Sequence, residues 1–230
     1  MFEGIVVKIS ESWVNKAIFY LIIVAIGLVV RYFSPLDKFK RVLRKTRPMT
    51  PQKAQEGAYV RVQGMAKPLN EIKQAPLTER ACLIYEASVD QKTNRYWRNI
   101  ITKVSQDNFI VEVGNELVLI NMDVPKSCIQ VRLDIDRDGS SGILQEPSKN
   151  LLRFLNYNQK ESTTILGFNK TFRYTEGILA PEEMVTVKGI ASWKTLSDPL
   201  AGYSYSRILE LKGTADHPLL ISDQKKMLKL

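Results

Sequence analysis

The segment Tyr59-Val60-Arg61-Val62-Gln63-Gly64-Met65-Ala66 carries the main pattern of this chain, because small or β-branched residues, Val60, Val62, Gly64 and Ala66, stand there at every second position. A period of two is typical of a β-strand that places alternate side chains in a core. The same V-x-V-x-G-x-A pattern returns at Val185–Ala191. Two interpretations stay open: the repeat marks two related half-domains, or it is what any strand looks like where it runs into a bulge or turn.

Short alternating or β-branched stretches, separated by Gly, Pro, Asn and Asp turns, fill most of the chain beyond Pro51. They predict strands at residues 59–65, 81–89, 96–104, 109–113, 117–121, 129–133, 171–178, 185–193, 207–211 and 219–222. Only two helices are expected in this part, at 149–157 and from Asp223 onward. Many strands with few helices predict a mainly β fold, a barrel or a sandwich, built either as one unit or as two related lobes.

Composition excludes some classes of protein. Of the 230 residues 44% are hydrophobic, which allows a sizeable core and argues against a largely disordered chain. The net charge is +9, but residues 1–47 hold nine of the 33 Lys and Arg and only three of the 24 Asp and Glu. The remainder is only weakly basic and lacks the dense cationic face that phosphate binding needs. No nucleic-acid partner is expected.

Near the N-terminus, Ala17–Val30 is a run of fourteen residues without a charge. Aromatic and apolar flanks extend it to residues 13–33, long enough for a transmembrane helix that follows an extramembrane segment at 1–12. Basic residues cluster on its C-terminal side: Arg31, Lys38, Lys40, Arg41, Arg44, Lys45 and Arg47. The positive-inside rule then predicts a single-pass protein with its N-terminus outside and its C-terminal domain in the cytoplasm.

A short amphipathic helix is expected at residues 34–47, with Ser34 as its cap and Pro35 in its first turn. Leu36, Phe39 and Leu43 recur on one face, and basic residues cover the rest. Such a helix can lie on an anionic lipid surface. The alternative is a simple stop-transfer cluster. Residues 48–230 then form the soluble domain.

Three sets of residues in the soluble domain carry a resemblance to a known family. The first set is Val62-x-Gly64, Ala75-Pro76-Leu77-Thr78, Cys82, Tyr85 and Trp97; the second is Phe172-Arg173-Tyr174-x-Glu176-x-x-Leu179-x-Pro181; the third is Val185-x-Val187-x-Gly189 with Pro218-Leu219-Leu220-Ile221-Ser222. In this order they resemble the GIDE domain over roughly residues 55–225. That family includes the GIDE/MULAN-type ubiquitin ligases of organelle membranes, in which a β-rich "beside a membrane" domain lies between two transmembrane helices ahead of a C-terminal RING. It also includes bacterial and archaeal relatives of unknown role.

The chain departs from the ligases of that family at the RING. A RING binds two zinc ions through eight Cys or His ligands, whereas this chain has two cysteines and one histidine. The resemblance therefore implies a RING-less, prokaryotic-like relative that is not an enzyme and needs no cofactor. We expect a membrane-anchored interaction module that binds a protein or peptide partner at the membrane surface. The alternatives are a regulatory subunit of a ligase-type complex that receives its RING in trans, and a small-molecule or calcium-sensing membrane domain.

Asp134-x-Asp136-x-Asp138-Gly139 resembles the opening of a calcium-binding loop. Position twelve would be Gln145, which offers no bidentate carboxylate. A weak metal site and a solvated acidic turn both stay open. His217 and the pair Glu182 and Glu183 lack partners in the sequence for acid-base work, so no catalytic residue is proposed.

Aromatic residues of the β-domain supply the candidate partner contacts, Trp97 and Trp193 above all. Most aromatic residues of such a domain are expected in the core or in cross-strand pairs. Cys82 and Cys128 make no disulfide framework and are expected as buried free thiols.

Overall fold

The computed structural model describes residues 2–142, 145–164, 167–195 and 206–230. The chain divides into two units, residues 1–45 and 46–230. The first unit holds two helices, α1 (Phe2–Tyr32) and α2 (Pro35–Arg44). Large apolar side chains of α1 are exposed, among them Trp13, Phe19, Leu21 and Leu28 at 71, 61, 68 and 64%. Over the part of the chain that the structure describes, no helix has the length and apolar composition that crossing a membrane requires.

Helix α2 confirms the short helix expected after residue 33, and it differs from the expectation in two respects. Ser34 stands at the N-cap, but its side chain makes no capping hydrogen bond. Phe39 and Leu43, two of the three apolar residues expected on one face of this helix, are buried at 1% and 0% exposure. The basic side chains of α2 stay at least partly accessible: Lys38 and Arg44 are exposed, and Lys40 and Arg41 are half-buried.

The second unit is mainly β, as the alternation predicts. Its strands are β1 (Tyr59–Pro68), β2 (Lys73–Gln74), β3 (Ala81–Cys82), β4 (Ile84–Lys92), β5 (Trp97–Val104), β6 (Phe109–Val113), β7 (Glu116–Ile120), β8 (Ile129–Arg132), β9 (Arg137–Ser141), β10 (Phe172–Leu179), β11 (Met184–Thr195), β12 (Arg207–Lys212) and β13 (Leu219–Ser222). Two helices accompany them, α3 (Lys149–Tyr157) and α4 (Lys225–Leu228).

Five strands close a barrel in the order β1-β6-β7-β12-β11, and β11 returns to pair with β1. All neighbours are antiparallel except β7 and β12, which are parallel. A five-stranded Greek-key barrel of this kind is the architecture of the OB-fold. Inward side chains such as Val62, Val111, Val118, Val187 and Leu209 form the main core. The parallel strands β13 and β8 extend the sheet beyond β11.

Gly64 is required where β1 changes partners. Tyr59–Met65 pairs with β11, and Met65–Pro68 pairs with β6. A Cβ added at Gly64 would lie 2.0 Å from the carbonyl oxygen of Glu112. Because that obstacle is backbone, no side-chain shift relieves it, and the close approach of β6 depends on glycine.

The two V-x-V-x-G segments are not equivalent strands of two lobes. Val62 lies opposite Val187, and Val60 lies opposite Gly189, so that β1 and β11 are direct partners in one barrel. The two segments therefore belong to one barrel and not to two separate lobes. Their shared pattern reflects the shared requirement of two adjoining barrel strands for small or β-branched inward residues.

Long insertions between barrel strands build a second sheet in the order β5-β4-β10-β9. Helix α3 packs on one face of it through Leu151, Phe154 and Leu155, against Val89 and Phe172 among others. Ser148 caps α3, because its hydroxyl accepts a hydrogen bond from the Leu151 amide at 3.2 Å. The predicted bounds of α3 are confirmed, and so are those of β6 and β13.

The clearest miss among the elements is β9. Arg137–Ser141 has no hydrophobic side chain and was expected within an acidic turn or metal loop, but it forms five pairs with β10. Its extended conformation comes from that neighbour, not from its own propensity. Gly139 lies over the Tyr174 ring, where a Cβ would meet the ring at 2.5 Å.

Candidate partner-binding face

The second sheet has one apolar face, which is buried under α3, and one polar face. Because successive side chains alternate, Ala87, Val89 and Phe172 turn toward α3. Their neighbours in sequence form the polar face instead. Six polar side chains, with Gly139 and Tyr174, line a shallow cleft there of about 340 Å³: Ser88, Asp90, Asp138, Ser140, Arg173 and Thr175. We call these six residues and Trp97 the polar face.

Arg173 is the centre of the polar face. Its Nε donates to Asp90 Oδ2 at 2.7 Å, and its guanidinium lies 4.8 Å from the centroid of the Trp97 ring. Asp90 is fixed from the other side, since Asn99 Nδ2 donates to Asp90 Oδ1 at 2.9 Å. The Arg173 side chain is still 53% exposed. The arginine is therefore held in one orientation and remains accessible.

Of the three aspartates proposed as metal ligands, each has a different environment. Asp136 is occupied: its Oδ1 pairs with Arg80 at 2.8 Å, and its Oδ2 accepts the Ile178 amide at 2.8 Å. Asp138 lies on β9, opposite Thr175, and lines the polar cleft. Asp134 precedes the strand, and its amide donates to Asp223 at 2.7 Å. Within the described residues, no three His, Cys, Asp or Glu side chains come close enough to hold a metal ion.

Glu176 joins two segments that are distant in sequence. It is fully buried, and its two carboxylate oxygens accept the amides of Leu77 and Thr78, both at 2.8 Å. Charge-assisted bonds of this kind compensate a buried carboxylate. The Ala75-Pro76-Leu77-Thr78 segment is thereby pinned to β10. The contact between these two segments is not predicted from the sequence. The usable signal was an acidic residue, Glu176, at an inward position of the alternating stretch Phe172-x-Tyr174-x-Glu176-x-Ile178.

Cys82 and Cys128 are buried free thiols, as expected. Cys82 packs with Ala75 and Ile178. Burial is the main cause that raises the pKa of the Cys82 thiol to about 11, with the charge of Glu176 next. The thiol is thus held in its unreactive protonated form.

Trp193 and Trp97 lie in different sheets and have different roles. Trp193 is half-buried on β11 against the barrel core, and its Nε1 donates to the Ala54 carbonyl at 3.1 Å. Trp97 begins β5 and stacks on Arg173 at the polar face. The structure therefore does not combine the two tryptophans into one binding surface on a single sheet.

His217 and the glutamate pair have structural surroundings. His217 is exposed and stacks on Tyr59 at a centroid distance of 4.9 Å. Glu183 accepts the Ala180 amide at 2.9 Å, which closes the turn between β10 and β11. Glu182 occupies the left-handed region of that turn, with φ of 63°.

Comparisons with known proteins add no relative. No protein-family model, curated protein or solved structure matches this chain significantly.

Proposed function

We propose that the chain is a membrane-anchored, non-catalytic interaction module whose polar face binds a protein or peptide partner at the membrane surface. One observation carries the proposal: an accessible arginine, Arg173, is held between the Trp97 ring and the Asp90 carboxylate beside a cleft.

Tryptophan and arginine are the residue types that contribute most to protein interfaces. Holding them in place beforehand lowers the entropic cost of binding. The cleft adds acceptors around the pair, namely Asp138 and the hydroxyls of Ser140 and Thr175. Because Arg173 already neutralises Asp90, the remaining charge is that of Asp138. The matching partner segment offers amide or cationic donors.

The membrane part of the proposal rests on the first 47 residues. Charge is missing from Ala17 to Val30, and the apolar side chains described there point outward, with Ile18, Val24 and Ile26 at 49, 57 and 58% exposure. A bilayer removes that apolar surface from water. The seven basic residues after the apolar run then favour a cytoplasmic β-domain. The resemblance to the GIDE domain, which lies beside a membrane, agrees with this arrangement.

Orientation is tested with a reporter fused after Leu230. We expect activity in the cytoplasm only, together with extraction of the protein by detergent but not by alkaline carbonate. A reporter active on the outer side would reverse the proposed topology. Extraction by carbonate would contradict the proposed membrane anchor.

Partner binding is tested by proximity labelling from the full chain in its native membrane, because the partner is unidentified. Three variants are compared with the wild type: Trp97→Ala, Arg173→Met and, as a matched control, Tyr96→Ala. Tyr96 is an exposed aromatic residue, at 65%, directly before Trp97. We expect specific labelled partners to be lost with the first two variants and kept with the third. Labelling that is the same in all four proteins would exclude the polar face as the partner-binding surface.

A further inference from the structure

A second cleft, of about 320 Å³, lies between four elements of the β-domain. One wall is the turn that contains Pro76 and Glu79, and another is α3 with Phe154 and Tyr157. Tyr85 of β4 and Lys103 of β5 close it. We call it the α3 cleft. Five aromatic or apolar residues line it together with four polar or charged ones: Ala75, Pro76, Tyr85, Phe154 and Tyr157, with Gln74, Glu79, Lys103 and Arg153. Its volume is at the lower end of the ~300–1,000 Å³ range of small-molecule sites.

The turn that forms the first wall is held rigidly. Glu176 accepts the Leu77 and Thr78 amides, and Asn150 of α3 donates to the Leu77 carbonyl at 3.1 Å. Glu79 has a φ of 56°, an uncommon conformation for a glutamate. A non-glycine residue persists there only when its surroundings fix the backbone. The α3 cleft is thus formed before any ligand arrives.

The positive and negative charges around the α3 cleft do not cancel. Glu79 is neutralised by Arg153, whose Nη1 lies 2.8 Å from Glu79 Oε1. Lys103 Nζ lies 4.1 Å from the centroid of the Tyr157 ring. In the described part of the chain it forms no ion pair with a carboxylate. One positive charge therefore remains uncompensated beside the aromatic wall.

Tyr85 supplies a neutral donor. Its side chain is half-buried, and burial is the main cause that raises the pKa of its phenol above the ordinary value. The phenol therefore keeps its proton at neutral pH. Among the described residues its hydroxyl makes no hydrogen bond, so it is available to a ligand at the cleft.

We propose that the α3 cleft binds a small monocarboxylate with an aromatic or branched apolar body. The body fills the space between Pro76, Phe154 and Tyr157, and the carboxylate meets Lys103 and the Tyr85 hydroxyl. One free cation and one neutral donor match a single negative charge. Because the charges of Glu79 and Arg153 cancel, the single charge of Lys103 does not balance a dianion such as a phosphate monoester.

The test uses the full chain in nanodiscs and two matched probes, 3-phenylpropionate and its neutral amide, 3-phenylpropionamide. Saturation-transfer NMR reports binding, with empty nanodiscs as the blank. We expect the carboxylate to bind more tightly than the amide. Lys103→Gln should weaken carboxylate binding about tenfold, because a charge-assisted bond is lost, and should leave amide binding unchanged. Lys92→Gln, on the neighbouring strand and outside the cleft, is the control and should change neither.

A second variant keeps the test decisive even if Lys103→Gln fails to fold. Tyr157 is 73% exposed, so Tyr157→Ala should stay folded and lose affinity for both probes. Equal affinity for the carboxylate and the amide would overturn the proposal. So would carboxylate binding that neither variant weakens, amide binding that Tyr157→Ala leaves unchanged, or no binding at all. The polar face uses none of these residues, so the two proposals fail independently.

Discussion

Arg61 of β1 lies directly opposite Lys188 of β11, and both side chains are buried, at 0% and 2% exposure. Like charges in this position repel each other. Arg61 is held by neutral oxygens: its Nε donates to Thr186 Oγ1 at 2.8 Å and its Nη2 to the Met227 carbonyl at 2.9 Å. Its Nη1 is buried and has no hydrogen-bond partner among the residues that the structure describes. Burial accordingly lowers the pKa of Arg61.

The first prediction is that the volume of the Arg61 side chain contributes more to the stability of the folded protein than its charge does. Arg61→Met keeps an apolar stem of similar length and removes the desolvation cost, so stability should change by less than about 1 kcal/mol or increase. Arg61→Ala leaves a cavity and should cost about 2–4 kcal/mol. Urea unfolding followed by tryptophan fluorescence measures both, with exposed Arg98→Met as the control. A methionine variant less stable than the alanine variant would contradict this account.

Asp223 provides a prediction about pH. It is 5% exposed, and its Oδ1 accepts the Asp134 amide at 2.7 Å. Its Oδ2 is buried and has no hydrogen-bond partner within the described residues. Desolvation is the main cause that raises its pKa from 3.8 to about 7, while the hydrogen bond from Asp134 opposes the rise. The folded protein therefore keeps a proton on Asp223 that the unfolded chain releases near pH 4.

Stability should consequently fall as pH rises from about 4 to 7, because the folded state binds more protons in that window. Asp223→Asn keeps an oxygen for the Asp134 amide and has no charge to bury. We expect the variant to exceed the wild type by a few kcal/mol at pH 8 and by much less at pH 5. Urea unfolding at both pH values, with exposed Asp216→Asn as the control, checks this. An equal difference at the two pH values would count against it.

These buried charges show where sequence reasoning ends. Alternation along 59–65 and 185–193 predicts the strands correctly, and in a two-sided sheet it also assigns Arg61 and Lys188 to the solvent side. They are buried because elements from the far end of the chain cover that side: β13 pairs with β11, and α4 supplies the Met227 carbonyl. No local pattern near residue 61 contains this information.

The candidate sites show the same limit. The residues Trp97, Asp138 and Arg173 were all noted from the sequence, but for separate reasons. They share one face because β5, β4, β10 and β9 become neighbours, and that order depends on long-range pairing. Local patterns were sufficient only where an element carries its own signals, as Lys149–Tyr157 does with its serine cap and apolar face.

Glu176 gives the third prediction. Glu176→Gln keeps the shape but has one carbonyl oxygen in place of the two carboxylate oxygens that accept from Leu77 and Thr78. We expect a loss of about 1–3 kcal/mol, the cost of a lost bond to a charged group. Amide hydrogen exchange of Leu77 and Thr78 should accelerate more than that of Val187 in the barrel. Uniform acceleration over both sheets would show that Glu176 acts on the whole domain and not on the turn.

Trp193 and Trp97 give the fourth prediction. Trp193 packs on the barrel core and donates to Ala54, so Trp193→Ala should cost about 2–3 kcal/mol by loss of packing and of one hydrogen bond. Trp97→Ala mainly removes the contact with Arg173 and should cost less than about 1 kcal/mol. Urea unfolding of the two variants shows which of them loses more stability. The reverse order would mean that Trp193 is the more peripheral of the two.

The last prediction concerns calcium and the segment Asp134–Asp138. A calcium loop bends around the ion so that oxygens at alternate positions converge, but here Asp138 lies on an extended strand and both oxygens of Asp136 are engaged by Arg80 and Ile178. Calorimetry on the full chain should therefore show no calcium binding tighter than ~100 µM. Asp136→Ala should lower stability without changing the calorimetric trace, because it frees Arg80 and leaves the Ile178 amide unpaired. Asp138→Ala, on the exposed part of β9, is the control and should leave stability unchanged. A micromolar, stoichiometric isotherm that Asp136→Ala abolishes would replace this structural role with a metal site.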